Sequence, residues 1–471
     1  MSTNRAIASN TIIQLTGKVI STFFGIVALA LMAQYLQPER YGWYTAVIGL
    51  MQFIGIMTDF GMTPVTAQML SEPHKDTDRL LSNILSFRLY TAIFFFTLAP
   101  FFALLLNFSR VEVVATAVAS VQFIAISINQ VLLGFYQTKL KLIVHSVAEV
   151  VSRIALVIGI ALVIYKGEGF LWLMAVISLA AVIFTSIMII QTMRSNTLRL
   201  RADFVIWKKI IKKGWPIAAA VMVNTVYLKG DVLILKQFVS NAELGFYGAA
   251  YRIVDVVSQS AMMVMGILLP LMAFSWSRKN IPEFHKRLQQ SFDLMMLLAV
   301  PLTVGALLVA RPLVILLFGK EYILSGPLLQ ILTLAVFGVY LGAVFGHAAV
   351  AMNKQKHVVW VYATNAFFTL IGYIVFIPRY GIHGAAWMSV FSELYTGIIL
   401  MFVILHWSKR RLSLDRAWRI ILSTLFMAVV IHALGELHVL WQIAIGMVVF
   451  FFAAITLRAL PKQTLLHLVK K

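Results

Sequence analysis

Fourteen apolar stretches, each about 18 to 25 residues long, divide the chain and leave it few ways to fold. At 1.5 Å per residue each can cross a ~30 Å hydrocarbon core as a helix. Inside such a core only helices or closed barrels satisfy the backbone, and a barrel strand needs only about ten residues, so these runs predict helices. The stretches are 11–33, 41–63, 83–106, 111–134, 144–164, 170–192, 214–238, 246–270, 292–310, 326–352, 358–377, 383–405, 417–434 and 439–458. Composition agrees: of 471 residues 61% are hydrophobic and 12% charged, a balance that soluble domains of this size do not have. The first stretch exceeds the ~7 to 15 residues of a signal-peptide core and further spans follow it at once, so it is expected to stay in the mature chain. The expected fold class is therefore an all-α polytopic membrane protein with about fourteen transmembrane helices.

Lys and Arg fall unevenly between the spans. Counted alternately from the N-terminus, the loops on one side hold 27 of them and the loops on the other only 7. The positive-inside rule then places both termini in the cytoplasm. The net charge of +21 needs no nucleic-acid partner, because basic loops beside anionic lipid heads account for it. With no Cys there is no disulfide framework and no thiolate metal site. HExxH, GxxxxGK[ST], GxSxG and GxGxxG are all missing from the sequence, so no metal, no cofactor and no catalytic residues are expected, and the chain does not read as an enzyme.

The chain also repeats itself, which decides architecture. QYLQPERYGWYTA, from Gln34, matches QFVSNAELGFYGA, from Gln237, at a constant offset of 203: Gly42 with Gly245, Tyr44 with Tyr247, Ala46 with Ala249. At an offset of 215, Lys139, Lys141, Tyr165, Gly169 and Trp172 match Lys354, Lys356, Tyr380, Gly384 and Trp387. The expected layout is an N-terminal six-helix bundle (1–192), a basic cytoplasmic linker (193–213), a second six-helix bundle (214–405), and two extra helices with a tail (406–471). Because six is even, both bundles enter the membrane from the same side, as parallel repeats that rock about a cleft between them.

Four stretches resemble a known family: LMAQYLQPERYGWYTA, TDFGMTPVTAQMLSE (58–72), GDVLILKQFVSNAELGFYGAAYRIVD (230–255) and LLFGKEYILSGPLLQIL (316–332). They are similar to the bacterial polysaccharide transport group, the O-antigen type of lipid-linked oligosaccharide flippase. Its superfamily also holds multidrug and toxin extrusion proteins and the peptidoglycan-precursor flippase. The resemblance implies two pseudo-symmetric bundles around an aqueous, often cationic, central cleft. It also implies a polyprenyl-diphosphate-linked glycan as substrate, a bacterial inner-membrane location, and a polysaccharide polymerase and chain-length machinery as partners beside the membrane lipids.

Charged residues within the spans include Lys18, Asp59, Arg88, Glu149, Arg153, Lys229, Asp231, Arg252, Asp255 and Glu393. Each costs on the order of 3 kcal/mol at a helix centre, so each should face a neighbour, a cavity or an interface. Glu149 and Arg153 stand four apart in the order that favours a same-face pair, which leaves Arg153 as either a structural partner or a cavity cation. Asp231 and Arg252 both lie about 10 Å in from the outer boundary at 1.5 Å per residue, and so can pair between helices. Lys229 lies about 200° around the helix from Asp231, out of its direct reach, and a cation at that depth calls for an anion. Lys18 and Arg88 sit within about two turns of a span end, where snorkelling competes with a cavity role. On this reading Lys18, Arg88, Arg153, Lys229 and Arg252 are candidates for the diphosphate, passed from the inner pair towards the outer. Asp59, Glu149, Asp231, Asp255 and Glu393 are candidates for ion pairing or for coupling to a proton or sodium gradient. A peptidoglycan-precursor flippase and a multidrug cation antiporter are the rival functions.

Overall fold

A computed structural model of the chain describes residues 3–58, 62–71, 76–139, 141–409 and 411–459, and the side chains among them except at 3–15, 64 and 216–228. Asp59 lies outside the described residues. Thirteen α-helical elements are found: α1 (Thr3–Thr58), α2 (Met62–Ser71), α3 (Thr77–Leu105), α4 (Arg110–Thr138), α5 (Ile143–Lys166), α6 (Phe170–Met193), α7 (Phe204–Phe238), α8 (Asn241–Ser277), α9 (Ile281–Phe318), α10 (Ser325–Ala351), α11 (Val359–Ser408), α12 (Asp415–Ala433) and α13 (Val439–Thr456). There is no strand among the described residues, and the all-α polytopic fold is as expected.

Two of these elements are too long to be single crossings. α1 has 56 residues and breaks at Gln37 (φ 60, ψ 167); α11 has 50 and breaks at Gly381 (φ 55, ψ −134). Gln37 precedes Pro38, which cannot supply a helical N–H, and Gly381 takes a positive φ without steric cost. Both breaks turn the chain back. Tyr35 Oη donates to the Glu168 carbonyl at 2.8 Å, and Trp43, on the other side of the break, meets Phe170 edge-on at 5.6 Å. In α11, Asn365 Nδ2 donates to Ser392 and Thr396 hydroxyls, both at 2.9 Å, and Gly384 lies against the Phe376 backbone. Among the described residues, eleven helices are long and apolar enough to cross a membrane. Counting the two hairpins twice and adding the 35-residue α7 gives the fourteen crossings read from the sequence.

The chain divides into two compact units, Met1–Gly245 and Phe246–Lys471. Within the first, α4 and α6 run parallel: Ser178 donates to the Val118 carbonyl (2.9 Å), Thr185 to that of Ala125 (3.1 Å), and Tyr136 shares a bond with Thr192 (2.9 Å). α3 runs antiparallel to α4, with Ser120 Oγ on the Phe96 carbonyl at 2.7 Å. The second unit repeats this plan. α10 runs parallel to the second arm of α11 along Gly338, Gly342 and Gly346, where a Cβ on Gly338 would sit 2.5 Å from the Glu393 carbonyl carbon. α9 runs antiparallel to α10, with Gln330 Nε2 on the Leu307 carbonyl at 3.0 Å. The three glycines are thus a seam of close helix packing.

The sequence repeat and the packing divide the chain at different places. α7 opens the second sequence copy, yet it belongs to the first unit, where Val232 fills the space a Cβ on Gly49 would need (2.5 Å). Near the end of this unit two glycines answer each other. A Cβ on Gly42 would lie 1.8 Å from the Asn241 carbonyl oxygen, and one on Gly245 2.0 Å from that of Pro38.

The linker ahead of α7 has no regular structure over 197–203, but it is tied down. Alternate backbone N–H groups donate to side chains of α3: Thr197 to Asp78 (2.8 Å), Arg199 to Ser82 (3.2 Å), Arg201 to Ser86 (2.9 Å) and Asp203 to Asn83 (2.9 Å). Asn196 and the Thr197 N–H hold the Asp78 carboxyl below the usual carboxylate range. The Arg79 guanidinium, 2.8 Å from Asp203, does the same there. Asp78 precedes the apolar run that begins at residue 83, so both carboxylates lie outside the spans.

Candidate functional site

Four helices of the first unit enclose a cavity of about 240 Å³. α4 lines it with Phe123, Ile126, Ser127 and Gln130, one face of a helix by their spacing. α1 contributes Gln52 and Gly55, α3 contributes Arg88 and Phe96, and α7 contributes Lys229. Two of the cations singled out from the sequence therefore line one cavity, where successive stations were expected.

Arg88 does not snorkel. It is 1% exposed, its Nη2 donates to Gln130 Oε1, and its Nε donates to the Ser127 carbonyl at 3.4 Å. Burying a guanidinium is costly unless its donors are met. α4 meets two of them and so fixes the plane of the group beside the cavity. Lys229 is half-buried, and Asp231, two residues on, is 1% exposed with its carboxylate accepting from the Val232 N–H at 2.8 Å. Among the described residues, the charged groups that line this cavity are Arg88 and Lys229.

The remaining candidates lie elsewhere. Lys18 Nζ is 3.3 Å from Glu149 Oε1, joining α1 to α5. The carboxylate expected to serve Arg153 along its own helix thus reaches across to a lysine 131 residues away. Arg153 sits beside Gly25 of α1, so Lys18, Glu149 and Arg153 share the α1–α5 seam. In the second unit Arg252, Asp255 and Glu393 are half-buried, with the Glu393 backbone against Gly338.

Several polar residues with no charge, or with charges near span ends, escaped the sequence reading. Gln52 and Gln130 carry no charge to flag them. Lys236, near the end of the span 214–238, has a buried side chain: it bonds Glu112 and, at 2.6 Å, Asn241, and lies 5.3 Å from the Phe108 ring centroid. Glu112 also closes a capping box with Ser109 at the start of α4; the Ser-x-x-Glu pattern ahead of an apolar run was the available signal. In the second unit Asp293 is held by Arg416 at 2.7 Å.

A second cavity, of about 340 Å³, lies in the second unit and is almost wholly apolar. α8 and α9 line one side with Val257, Leu298, Leu302 and Ala306, and α12 and α13 line another with Met427, Ile431, Met447 and Phe450. The two helices appended to the repeat thus wall a pocket that six helices leave open.

Fold and cavities define a multi-pass α-helical membrane protein whose two units each enclose a cavity of different character. Among solved structures the chain is similar to a lipid II flippase, MurJ, in an inward closed conformation: TM-score 0.78, 18% identity, 95% of this chain and 99% of that one. It also resembles an inward-facing multidrug resistance transporter of the MATE family and MOP superfamily: TM-score 0.67, 12% identity, 85% and 98% coverage. At these identities the likeness is one of fold. The chain belongs to the polysaccharide biosynthesis protein family, whose model matches residues 31–327, as the motifs around Gln34 and 230–255 indicated. Among relatives, the "Putative O-antigen transporter" of Shigella flexneri is 22% identical over 398 residues, covering 81% of this chain and 93% of that protein. The "Probable low-salt glycan biosynthesis flippase" of Haloferax volcanii is 24% identical over 163 residues, 34% of each chain.

Proposed function

We propose that the protein is a flippase that moves a polyprenyl-diphosphate-linked oligosaccharide, such as an O-antigen or other surface-polysaccharide repeat unit, from the cytoplasmic to the periplasmic leaflet of the bacterial inner membrane by alternating access. The observation that carries this reading is the cavity shared by Arg88 and Lys229. Two cations lining one cavity at membrane depth suit a diphosphate. The apolar cavity of the second unit, taken by itself, suits a hydrocarbon chain. The printed names of the relatives, an O-antigen transporter and a glycan flippase, support the same substrate class.

Energetics are consistent. No nucleotide-binding motif is present in the sequence, and moving an anion outward against an inside-negative potential is downhill by ~2.3 kcal/mol per charge per 100 mV. A proton or sodium gradient acting through Glu149, Asp231, Asp255 or Glu393 would add to this. The polymerase and chain-length machinery that consume such a product are the expected neighbours on the outer face.

The test is a deletion strain complemented with the gene. Surface glycan should vanish on deletion while lipid-linked repeat units accumulate facing the cytoplasm. Lethality without any surface-glycan pathway would move the assignment to the peptidoglycan precursor, and cation-dependent drug resistance independent of glycan would move it to extrusion.

A further inference from the structure

We propose that the linker and the first turns of α7 form a binding surface for anionic phospholipid headgroups at one face of the membrane. This goes beyond transport and does not depend on it. A basic stretch between two transmembrane bundles reads as a solvated loop, but here its backbone is fixed. The four N–H donations to Asp78, Ser82, Ser86 and Asn83 turn one edge of the strap to α3, leaving Arg199, Leu200 and Arg201 exposed on the other.

The surface continues into α7. Ile210 is buried, and Trp207 stacks against Phe87 (5.6 Å) and Tyr90 (5.9 Å) of α3. The opposite face carries Phe204, Lys208, Lys212 and Trp215, at spacings of four, four and three, with Lys209 beside it, and all five are exposed. Phe204, edge-on to Trp207 at 5.3 Å, is still 75% exposed and Trp215 58%, so most of the surface of both rings faces away from the protein.

Depth identifies the partner. The strap bonds to residues 78–86 of α3, whose apolar run begins at 83, and Trp207 meets residues 87 and 90. The strap therefore lies at headgroup level, and the first turns of α7 reach just inside it. Lys229, 22 residues and about 33 Å of helix beyond Trp207, still reaches the cavity that Arg88 lines. Trp207 meets α3 only about one to two turns past the start of that helix's apolar run, which keeps the first turns of α7 close to the membrane boundary. Lysines interleaved with Trp and Phe at that depth match what an interfacial helix presents to anionic lipid: rings among the acyl ends, ammonium groups on the phosphates.

The test uses the full chain in nanodiscs of mixed phosphatidylcholine and phosphatidylglycerol, with retained lipids counted by native mass spectrometry. Each cation at an anionic surface is worth about fivefold in association. Lys208→Gln, Lys209→Gln and Lys212→Gln together should therefore lower phosphatidylglycerol enrichment by about tenfold or more, while the three Lys→Arg changes should keep it. High salt should weaken the enrichment in the unmodified protein, which reads the same interaction should the Gln triple fail to fold. An equal loss from Arg278→Gln, Lys279→Gln and Lys286→Gln would reduce the effect to bulk charge and overturn the proposal. Unchanged enrichment in the first triple, or selection of polyprenyl diphosphate over phosphatidylglycerol at this surface, would also overturn it.

Discussion

The two units share a helix plan but enclose opposite environments. In the first, the cavity holds Arg88, Lys229 and two glutamines; in the second, the largest side chains on the wall are Leu, Met and Phe. Parallel pairs α4/α6 and α10 with the second arm of α11, each crossed by an antiparallel neighbour, give the same scaffold twice. A duplicated scaffold therefore leaves interior chemistry free to vary.

The sharpest way to break this comparison is at Lys229. Lys229→Ala should reduce surface glycan by about 10- to 100-fold, the worth of one charge-assisted contact, at normal membrane abundance, and Lys229→Arg should retain most activity. Surface glycan and protein level are measured in the same cells. Full activity in the Ala variant would remove the polar cavity from the transport path.

Gln130→Leu should act next most strongly, because it takes from the buried Arg88 guanidinium one of its acceptors. A loss of about 2 kcal/mol is expected, seen as a lower unfolding midpoint in detergent together with weaker binding of polyprenyl diphosphate. A change in midpoint without a change in binding would make Arg88 purely structural.

The apolar side is sharpened by Ala306→Trp, which fills the second cavity. Discrimination between a long and a short polyprenyl chain should fall by about fivefold, on the basis of ~0.8 kcal/mol for each CH2 group no longer buried, while binding of the short-chain diphosphate stays constant. Equal losses for both chain lengths would separate this cavity from the lipid tail.

The smallest effect concerns the strap. Asp78 and Asp203 have carboxyls held below the usual range by hydrogen bonds and by Arg79. Their contribution is therefore complete above the ordinary carboxylate pKa of about 4 and is lost only as pH falls below it. Hydrogen exchange at 197–203 should quicken in Asp78→Asn at neutral pH, and in the unmodified chain only in acid. No difference between the two proteins at neutral pH would show that Asp78 does not hold the strap.

Most of the fold was legible because length and hydropathy are properties of contiguous sequence: fourteen apolar runs gave fourteen crossings, including two hairpins whose turns, at Gln37 and Gly381, interrupt otherwise continuous helix. The intramembrane charges were legible for the same reason, since a charge in an apolar run is conspicuous. Their partners were not. Lys18 and Glu149 lie 131 residues apart and Lys236 and Glu112 lie 124 apart, distances that no local spacing rule spans. Gln52 and Gln130 were invisible because a neutral amide carries no charge to single it out within an apolar run, and the strap because its order comes from side chains of α3 and from nothing in its own sequence. For α7 descent and packing speak separately: similarity places it in the second copy, while Val232 packs on Gly49 in the first unit.

The paired glycines carry a further consequence. The repeat offset that takes Gly42 to Gly245 also takes Pro38 to Asn241, and the contacts are Gly42 on Asn241 and Gly245 on Pro38. Residue i meeting j while the copy of i meets the copy of j in reverse is how the two faces of an isologous homodimer fit together. The linkers thus keep, inside one polypeptide, the self-complementary handshake of a dimer. A side chain gained at either glycine would have to be accommodated by the backbone around the other, so each of these two stretches constrains the drift of its copy at this point.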